Sequence, residues 1–93
     1  MVVGVATARL FIRASRSLKE KRRVLQSLKE RLRKRFNISV AEVGAQDSHQ
    51  VAELGLATVS WSRGAVEKTL EAVRGFLERQ PQAALSALQW ECL

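Results

Sequence analysis

The sequence contains few of the residues from which small proteins build disulfide frameworks or metal centres. Its 93 residues include one cysteine, one histidine, one proline and no tyrosine. Cys92 cannot form an internal disulfide, which suits a reducing compartment. One cysteine and one histidine cannot complete a closed zinc site without carboxylates from elsewhere in the chain. We therefore predict no metal site and no cofactor.

Long apolar runs are also absent from the sequence. No stretch approaches the roughly 20 apolar residues that a membrane-spanning helix needs. The first residues, M-V-V-G-V-A-T-A-R, lack the basic start and the later cleavage site of a signal peptide. A chain of this length has room for one small hydrophobic core. We expect one cytoplasmic domain over residues 1–93, with no membrane partner.

The positive charge is concentrated in one segment. The chain has sixteen cations and nine acids, for a net charge of +7. Nine of the cations and only two of the acids lie between Lys19 and Arg35, which leaves seven of each for the rest of the chain. All of the excess charge therefore belongs to one segment, and such a localised field points to a negatively charged partner.

The order of the apolar patterns predicts four strands and two helices. Each helix begins at a capping serine, Ser17 or Ser62, and Glu20 completes a capping box in the first. Asn37 is a suitable left-handed residue after the first helix, and Gly55 indicates a bulge or a close contact within a strand. The predicted strands are 2–13, 38–43, 54–61 and 84–92, and the helices follow Ser17 and Ser62 and end before 38 and 81.

This βαββαβ order predicts a ferredoxin-like α+β sandwich. Two helical crossovers and one hairpin place four antiparallel strands in one sheet, with both helices on one face. The third strand offers Ala57, Val59 and Trp61 to the opposite face. A sheet that is partly apolar on both faces usually has its second face covered. We expect a second copy of the chain to cover it, which would make the protein a homodimer.

Three stretches of the sequence resemble a known family. They are S-L-K-E-K-R-R-V-L-Q-S-L-K-E-R-L-R, then F-N-I-S-V-A-E-V, then Q-D before a strand containing L-G. Together they resemble the YlxP-like family of small bacterial proteins over nearly the whole chain, and S-L-K-E-K-R is the most specific part. The resemblance implies a ferredoxin-like fold, a bacterial cytoplasmic setting and a gene neighbourhood of translation and ribosome-maturation factors. It implies no known activity and no catalytic residues, so it favours an RNA or ribosome connection by association alone.

The first helix supplies the candidate binding residues. Its cations lie on adjacent turns with few acids between them, although such cations repel each other. The second helix instead alternates Glu67 and Glu71 with Lys68 and Arg74. A stripe of cations suits the phosphates of a nucleic acid backbone; the alternative is a solvated face kept basic for solubility. The predicted nucleic-acid-binding residues are Arg13, Arg16, Lys19, Lys21, Arg22, Arg23, Lys29 and Arg33.

Lys21 projects from the middle of the apolar arc of this helix. Its methylenes could be buried while the ammonium reaches the surface near Arg13 and Arg16, where the free N–H groups of the helix start would complete a small-anion site. The alternative is that Lys21 pairs with Glu42 or another carboxylate. Both interpretations remain open at the level of sequence.

Other chemistry has little support in the sequence. Asp47, Ser48 and His49 are adjacent on a loop, whereas a catalytic triad converges in space; Asp47 is expected to bond to the loop backbone. The 13–16 segment lacks the glycine- and valine-rich phosphate cradle of the acylphosphatases, which share this fold. Trp61 and Trp90 are expected in the core or at an interface rather than as stacking platforms. We predict no catalytic residues.

The sequence thus favours one function and leaves one alternative. We expect a non-enzymatic RNA-binding or ribosome-associated accessory protein that docks phosphates on its first helix, with weak sequence preference. The alternative is a dimeric ligand-sensing or protein-binding module with a small-anion site at the start of the first helix.

Overall fold

The computed structural model describes all 93 residues, and it contains four strands and two helices. The N-terminal strand pairs with two later strands and lies inside the sheet. The predicted βαββαβ order is confirmed. The elements are β1 (Val2–Ile12), α1 (Leu18–Arg35), β2 (Ser39–Gly44), β3 (Val51–Ser60), α2 (Arg63–Glu78) and β4 (Ala83–Cys92).

The strands form one antiparallel sheet in the order β2-β3-β1-β4. The even-numbered residues from Gly4 to Ile12 in β1 and from Ala52 to Thr58 in β3 are buried beneath the two helices, because side chains alternate between the two faces of a strand. The buried core includes Leu10 and Leu54 from the sheet, Leu28 from α1 and Leu70 from α2. Both helices therefore cover one face of the sheet, and the ferredoxin-like α+β fold is confirmed.

Helix α1 begins as its capping residues predict. The Ser17 Oγ accepts a hydrogen bond from the Glu20 N–H at 3.1 Å, and the Glu20 carboxylate accepts one from the Arg16 N–H. The first bond satisfies an N–H group that a helix start otherwise leaves without a partner, and the second joins the Glu20 carboxylate to the residue before the cap. Leu25, Leu28 and Leu32 form the buried stripe of the helix.

The end of α1 differs from the prediction. The chain leaves the helix through Phe36 in an extended conformation, and Ala14 and Ala45 are the only non-glycine residues with positive φ. The prediction of a left-handed Asn37 is therefore wrong. Its side-chain amide instead donates to the Val59 carbonyl at 3.2 Å, and its own carbonyl accepts a bond from Thr58. Asn37 thus ties the end of α1 to the end of β3.

The hairpin between β2 and β3 is shorter than predicted, since β3 begins at Val51 rather than at residue 54. The Ser48 Oγ accepts hydrogen bonds from the N–H groups of Gln50 and Val51 and so organises the turn. The prediction that Asp47 would bond to the loop backbone is wrong, because Ser48 has that role. In β3, a Cβ atom on Gly55 would lie 2.8 Å from Val43 Cγ1, so the predicted close contact at this glycine is confirmed.

The face of the sheet opposite the helices, here called the open face, is partly apolar. It is formed by the odd-numbered residues of β1 and β3 and by the residues that pair with them. Phe11, Val43 and Val59 are exposed on it, and Arg9 and Glu53 form an ion pair between the two central strands. No polypeptide of this chain covers that surface.

Candidate nucleic-acid interface

Eight of the nine cations of helix α1 have no acidic partner, and six of these eight lie on one side of the helix. We call this set the basic face: Lys19, Arg22, Arg23, Lys29, Arg33 and Lys34. None of its members belongs to an ion pair. The two acids of the helix are engaged elsewhere, since Glu20 accepts a bond from the Arg16 N–H and Glu30 accepts one from Gln26. The charge of the basic face is therefore not neutralised within the chain.

Helix α2 shows the opposite arrangement. Arg63 lies 3.0 Å from Glu67, and Arg74 lies 3.8 Å from Glu71, at i,i+4 and i,i+3 spacing. Pairs at these spacings stabilise a helix by tenths of a kcal/mol, roughly 0.2–0.5 each, while like charges at i,i+4 destabilise it by a similar amount. The two helices thus differ in surface charge, as the sequence indicates: α1 carries unpaired cations, and α2 carries two pairs of a cation with a glutamate.

Three predicted binding residues lie together near the start of the basic face. Lys19, Arg22 and Arg23, with Gln26, line one shallow surface depression. Their spacing at i, i+3, i+4 and i+7 places them on adjacent turns of one side of α1. Three charged heads with access to a common volume can approach neighbouring phosphate oxygens of one strand.

The other members of the basic face lie further along the helix. Arg33 is exposed, but its Nη2 donates a hydrogen bond to the Val40 carbonyl at 2.9 Å, so only part of its guanidinium is free. Lys29 is half-buried beside it. Lys34 is exposed and unpaired, although it is missing from the predicted set. Its position on the same side of α1 as Arg23, eleven residues away, is the signal that could have included it.

Lys21 is not part of the surface. Its side chain is 1% exposed, and its Nζ donates to the carbonyls of Ala45 at 2.7 Å and Ser48 at 2.6 Å. Nζ also lies 3.0 Å from Glu42 Oε2, which has no aligned hydrogen-bond donor, so that contact is an ion pair without hydrogen-bond geometry. The prediction that Lys21 contacts phosphate is wrong, and the alternative pairing with Glu42 is confirmed.

The predicted small-anion site at the start of α1 lacks the Lys21 ammonium, because that group is buried. Arg13 and Arg16 are exposed and unpaired, but the Lys21 ammonium is buried and bonded to the Ala45 and Ser48 carbonyls of the hairpin loop. The Glu20 carboxylate already occupies the start of the helix through the Arg16 N–H. A negative group of the chain itself is therefore in the place where the anion was expected.

Two further α1 cations hold the helices together. The Arg31 and Arg35 guanidinium carbons lie 5.8 and 5.6 Å from the centre of the Phe76 ring. Arg31 also donates to the Gln80 side chain at 2.7 Å. These contacts are cation–π and hydrogen-bond contacts between α1 and α2, so both guanidinium groups have partners on the second helical segment although both residues are exposed.

The two tryptophans have different environments. Trp90 is half-buried and packs against the core. Trp61 is 85% exposed between the end of β3 and the start of α2. The part of the prediction that placed Trp61 in the core is wrong, because its strand ends one residue earlier and no element packs over it. His49 is exposed, and no three metal-ligating side chains converge in the structure.

The fold and its charge define a small, basic, ferredoxin-like α+β protein. Residues 3–90 match a family model described as "Protein of unknown function (DUF503)", and the chain belongs to this family. It is 40% identical over 81 residues, which is 87% of this chain and 88% of the relative, to "Uncharacterized protein YlxP" of Bacillus subtilis (strain 168). The predicted membership of the YlxP-like family is confirmed. Neither helix of the structure is long and apolar enough to cross a membrane.

Proposed function

We propose that this protein is a non-enzymatic, cytoplasmic RNA-binding or ribosome-associated accessory protein that docks RNA phosphates on the basic face of α1. One observation carries the proposal: the six cations of the basic face have no acidic partner, whereas two of the three cations of α2 are paired with glutamates of the same helix. Charge repulsion within α1 is a persistent cost to the fold, and phosphate oxygens would remove it. The docking residues are Lys19, Arg22, Arg23, Lys29, Arg33 and Lys34, with Arg13 and Arg16 extending the surface beyond the start of the helix.

The helix, rather than the sheet, is the proposed RNA surface. RNA-recognition modules with this fold stack bases on aromatic side chains of the central strands. The open face here has one exposed aromatic residue, Phe11, and an ion pair between Arg9 and Glu53 on those strands. Cations that contact phosphates supply affinity and orientation without reading sequence. Binding should therefore be strong at low salt and weakly sequence-specific.

The salt dependence of binding tests this proposal. Neutralising about five phosphates predicts that log K falls with log [salt] with a slope of about −4, since each contact contributes about 0.7–0.9. The slope can be measured by fluorescence anisotropy with a labelled, structured ribosomal RNA fragment. A salt range of about 0.05 to 0.3 M is suitable, because slopes of this kind are resolved over such a range. A chain that does not bind RNA at the lowest salt, or that binds with a slope near zero, would show that the basic face serves solubility or an acidic protein instead.

We also propose that a second copy of the chain covers the open face. The face carries apolar residues such as Val5, Val43 and Val59, and its charges nearly cancel. The Arg9–Glu53 pair lies on the two central strands, so a twofold axis near it would set each arginine against the other copy's glutamate. The excess positive charge lies on the far side of the sheet, where it would not oppose this contact.

Sedimentation measures this assembly. We expect the mass of the wild type in sedimentation to be twice the 10.4 kDa of one chain, which is the mass of a dimer. Replacing Val5 and Val59 by glutamate should give the monomer mass, because four carboxylates would meet in one apolar contact. Lys68→Glu on α2 is the control and should leave the dimer intact. A wild type that remains monomeric at about 100 μM, where even weak micromolar association is visible, would refute the proposed dimer.

A further inference from the structure

Trp61 is the largest apolar side chain that the fold leaves exposed. It is 85% accessible, whereas the other tryptophan packs against the core. Its chain neighbours are Ser60, Ser62 and Arg63, all of them polar or charged. The exposed apolar residues nearest to it in the chain and across the Val2–Ser60 pair are Val59 and Met1, and no element of the chain packs over the indole.

The backbone on both sides of Trp61 is fixed. Ser60 pairs with Val2 at the end of β3. Ser62 caps α2, with its Oγ accepting a bond from Ala65 N–H at 3.1 Å and its carbonyl accepting one from Val66 N–H at 3.2 Å. An aromatic ring on a fixed backbone loses little conformational freedom on binding, and such rings are effective contact residues for that reason.

Trp61 lies at the same end of the molecule as the last turn of α1. The Asn37 amide joins the end of that helix to the Val59 carbonyl, two residues before Trp61, which is about 7 Å along a strand. The molecule measures 42 Å along its long axis and only 21 by 19 Å across it. The last turn of α1, which carries Arg33 and Lys34, and Trp61 therefore lie at the same end of the molecule.

The charge of the chain indicates which kind of ligand would contact the exposed indole of Trp61. The excess of +7 lies on α1, whose last turn ends at this end of the molecule. A partner that is negatively charged and also presents flat aromatic faces fits both features. Unpaired bases of a single-stranded RNA meet this description, because every base has a π-face that stacks on an aromatic side chain.

We propose that Trp61 is a stacking site for an unpaired base of an RNA strand whose phosphates lie along the basic face. The inference rests on the proposed RNA-binding function and adds to it a preference for single-stranded over fully paired RNA. Phosphate contacts would hold the strand along α1, and stacking on Trp61 would fix its end. The indole tolerates any base, so the site adds affinity without reading sequence.

The test compares Trp61→Ala, Trp61→Phe and the wild type on a single-stranded 12-nucleotide RNA and on a blunt duplex. We expect Trp61→Ala to weaken single-strand binding by about fivefold to a hundredfold, the range that loss of one stacked base produces. Trp61→Phe should recover most of the loss. The salt slope should not change, because stacking releases no counterions. Phe11→Ala, which removes an exposed aromatic residue at the other end of β1, is the matched control and should bind as the wild type does.

Each outcome separates this inference from the function on which it rests. If the wild type does not bind RNA at low salt, the proposed function fails. If the wild type binds with a steep salt slope and Trp61→Ala binds equally well, only the stacking site is refuted. A Trp61→Ala variant that loses salt dependence, or a loss that Trp61→Phe does not recover, also refutes stacking. A change from dimer to monomer in Trp61→Ala would assign the indole to contact between copies instead.

Discussion

Replacing Lys19, Arg22 and Arg23 together by glutamate is expected to weaken RNA binding at 0.1 M salt by at least about a hundredfold. Each lost phosphate contact removes about 0.7–0.9 from the salt slope. Three contacts therefore contribute a factor of about two to three powers of ten to the binding constant when the salt concentration falls from 1 M to 0.1 M. The three side chains are exposed and unpaired, and they line one depression. Their replacement should leave the fold intact, which far-UV circular dichroism would verify. The measurement is the anisotropy titration of the labelled RNA.

Helix α2 provides a control with the same change in net charge. Replacing Arg63, Lys68 and Arg79 by glutamate also lowers the net charge from +7 to +1, a change of six units. It breaks only the exposed Arg63–Glu67 pair, and pairs of this kind contribute about 0–1 kcal/mol. We expect this variant to bind RNA far more tightly than the α1 variant. Equal losses in the two variants would mean that net charge, and not the basic face, controls binding.

Lys21→Ala is expected to lower the free energy of unfolding by about 3–5 kcal/mol, the usual cost of removing one partner of a buried ion pair. The Lys21 ammonium is the hydrogen-bond donor to the Ala45 and Ser48 carbonyls and the counter-charge of Glu42. Without it, these three acceptors lose their partner inside the protein, and the side-chain volume is left empty. A domain of this size has a total stability of about 5–15 kcal/mol, so the loss is a large fraction of it. Urea denaturation followed by circular dichroism measures the change.

Two variants identify the cause of that loss. Lys19→Ala, two residues earlier on the exposed side of α1, should change the stability by no more than about 0.5 kcal/mol. Lys21→Met keeps most of the volume but not the charge, and adding Glu42→Gln should recover part of its stability by removing the uncompensated carboxylate. If Lys21→Ala is no more destabilising than Lys19→Ala, the ammonium does not hold the hairpin loop.

The overall architecture follows from local patterns that the sequence displays. The 3.6-residue apolar period of α1 and the serine caps of both helices depend on near neighbours, and the structure places them as predicted. The alternation in β4, with Leu88 and Trp90 inward and Gln89 and Glu91 outward, is likewise a local signal. The order of these elements then restricts the topology to one common arrangement.

The errors concern residues whose partners are distant in sequence. Lys21 is held by carbonyls 24 and 27 residues away, and Asn37 is held by Val59 and Thr58. A helical wheel gives the direction of Lys21 but not the presence of a loop that receives its ammonium. The candidate site was therefore predictable as a helix face, whereas the separation of its cations into surface, buried and interhelical groups required the three-dimensional contacts.

The one-sided charge of the molecule also affects how it would approach a partner. The excess positive charge lies in α1 and the rest of the chain is neutral, so the charge distribution of the molecule is strongly asymmetric. In the field of a polyanion it would rotate until α1 leads, and such steering raises association rates by about 10–1,000-fold. This orienting force acts over a distance from the partner of one Debye length, which is about 10 Å at 0.1 M salt. That distance is about half of the 21 Å width of the molecule. The docking orientation would then be selected during diffusion, before any two atoms touch.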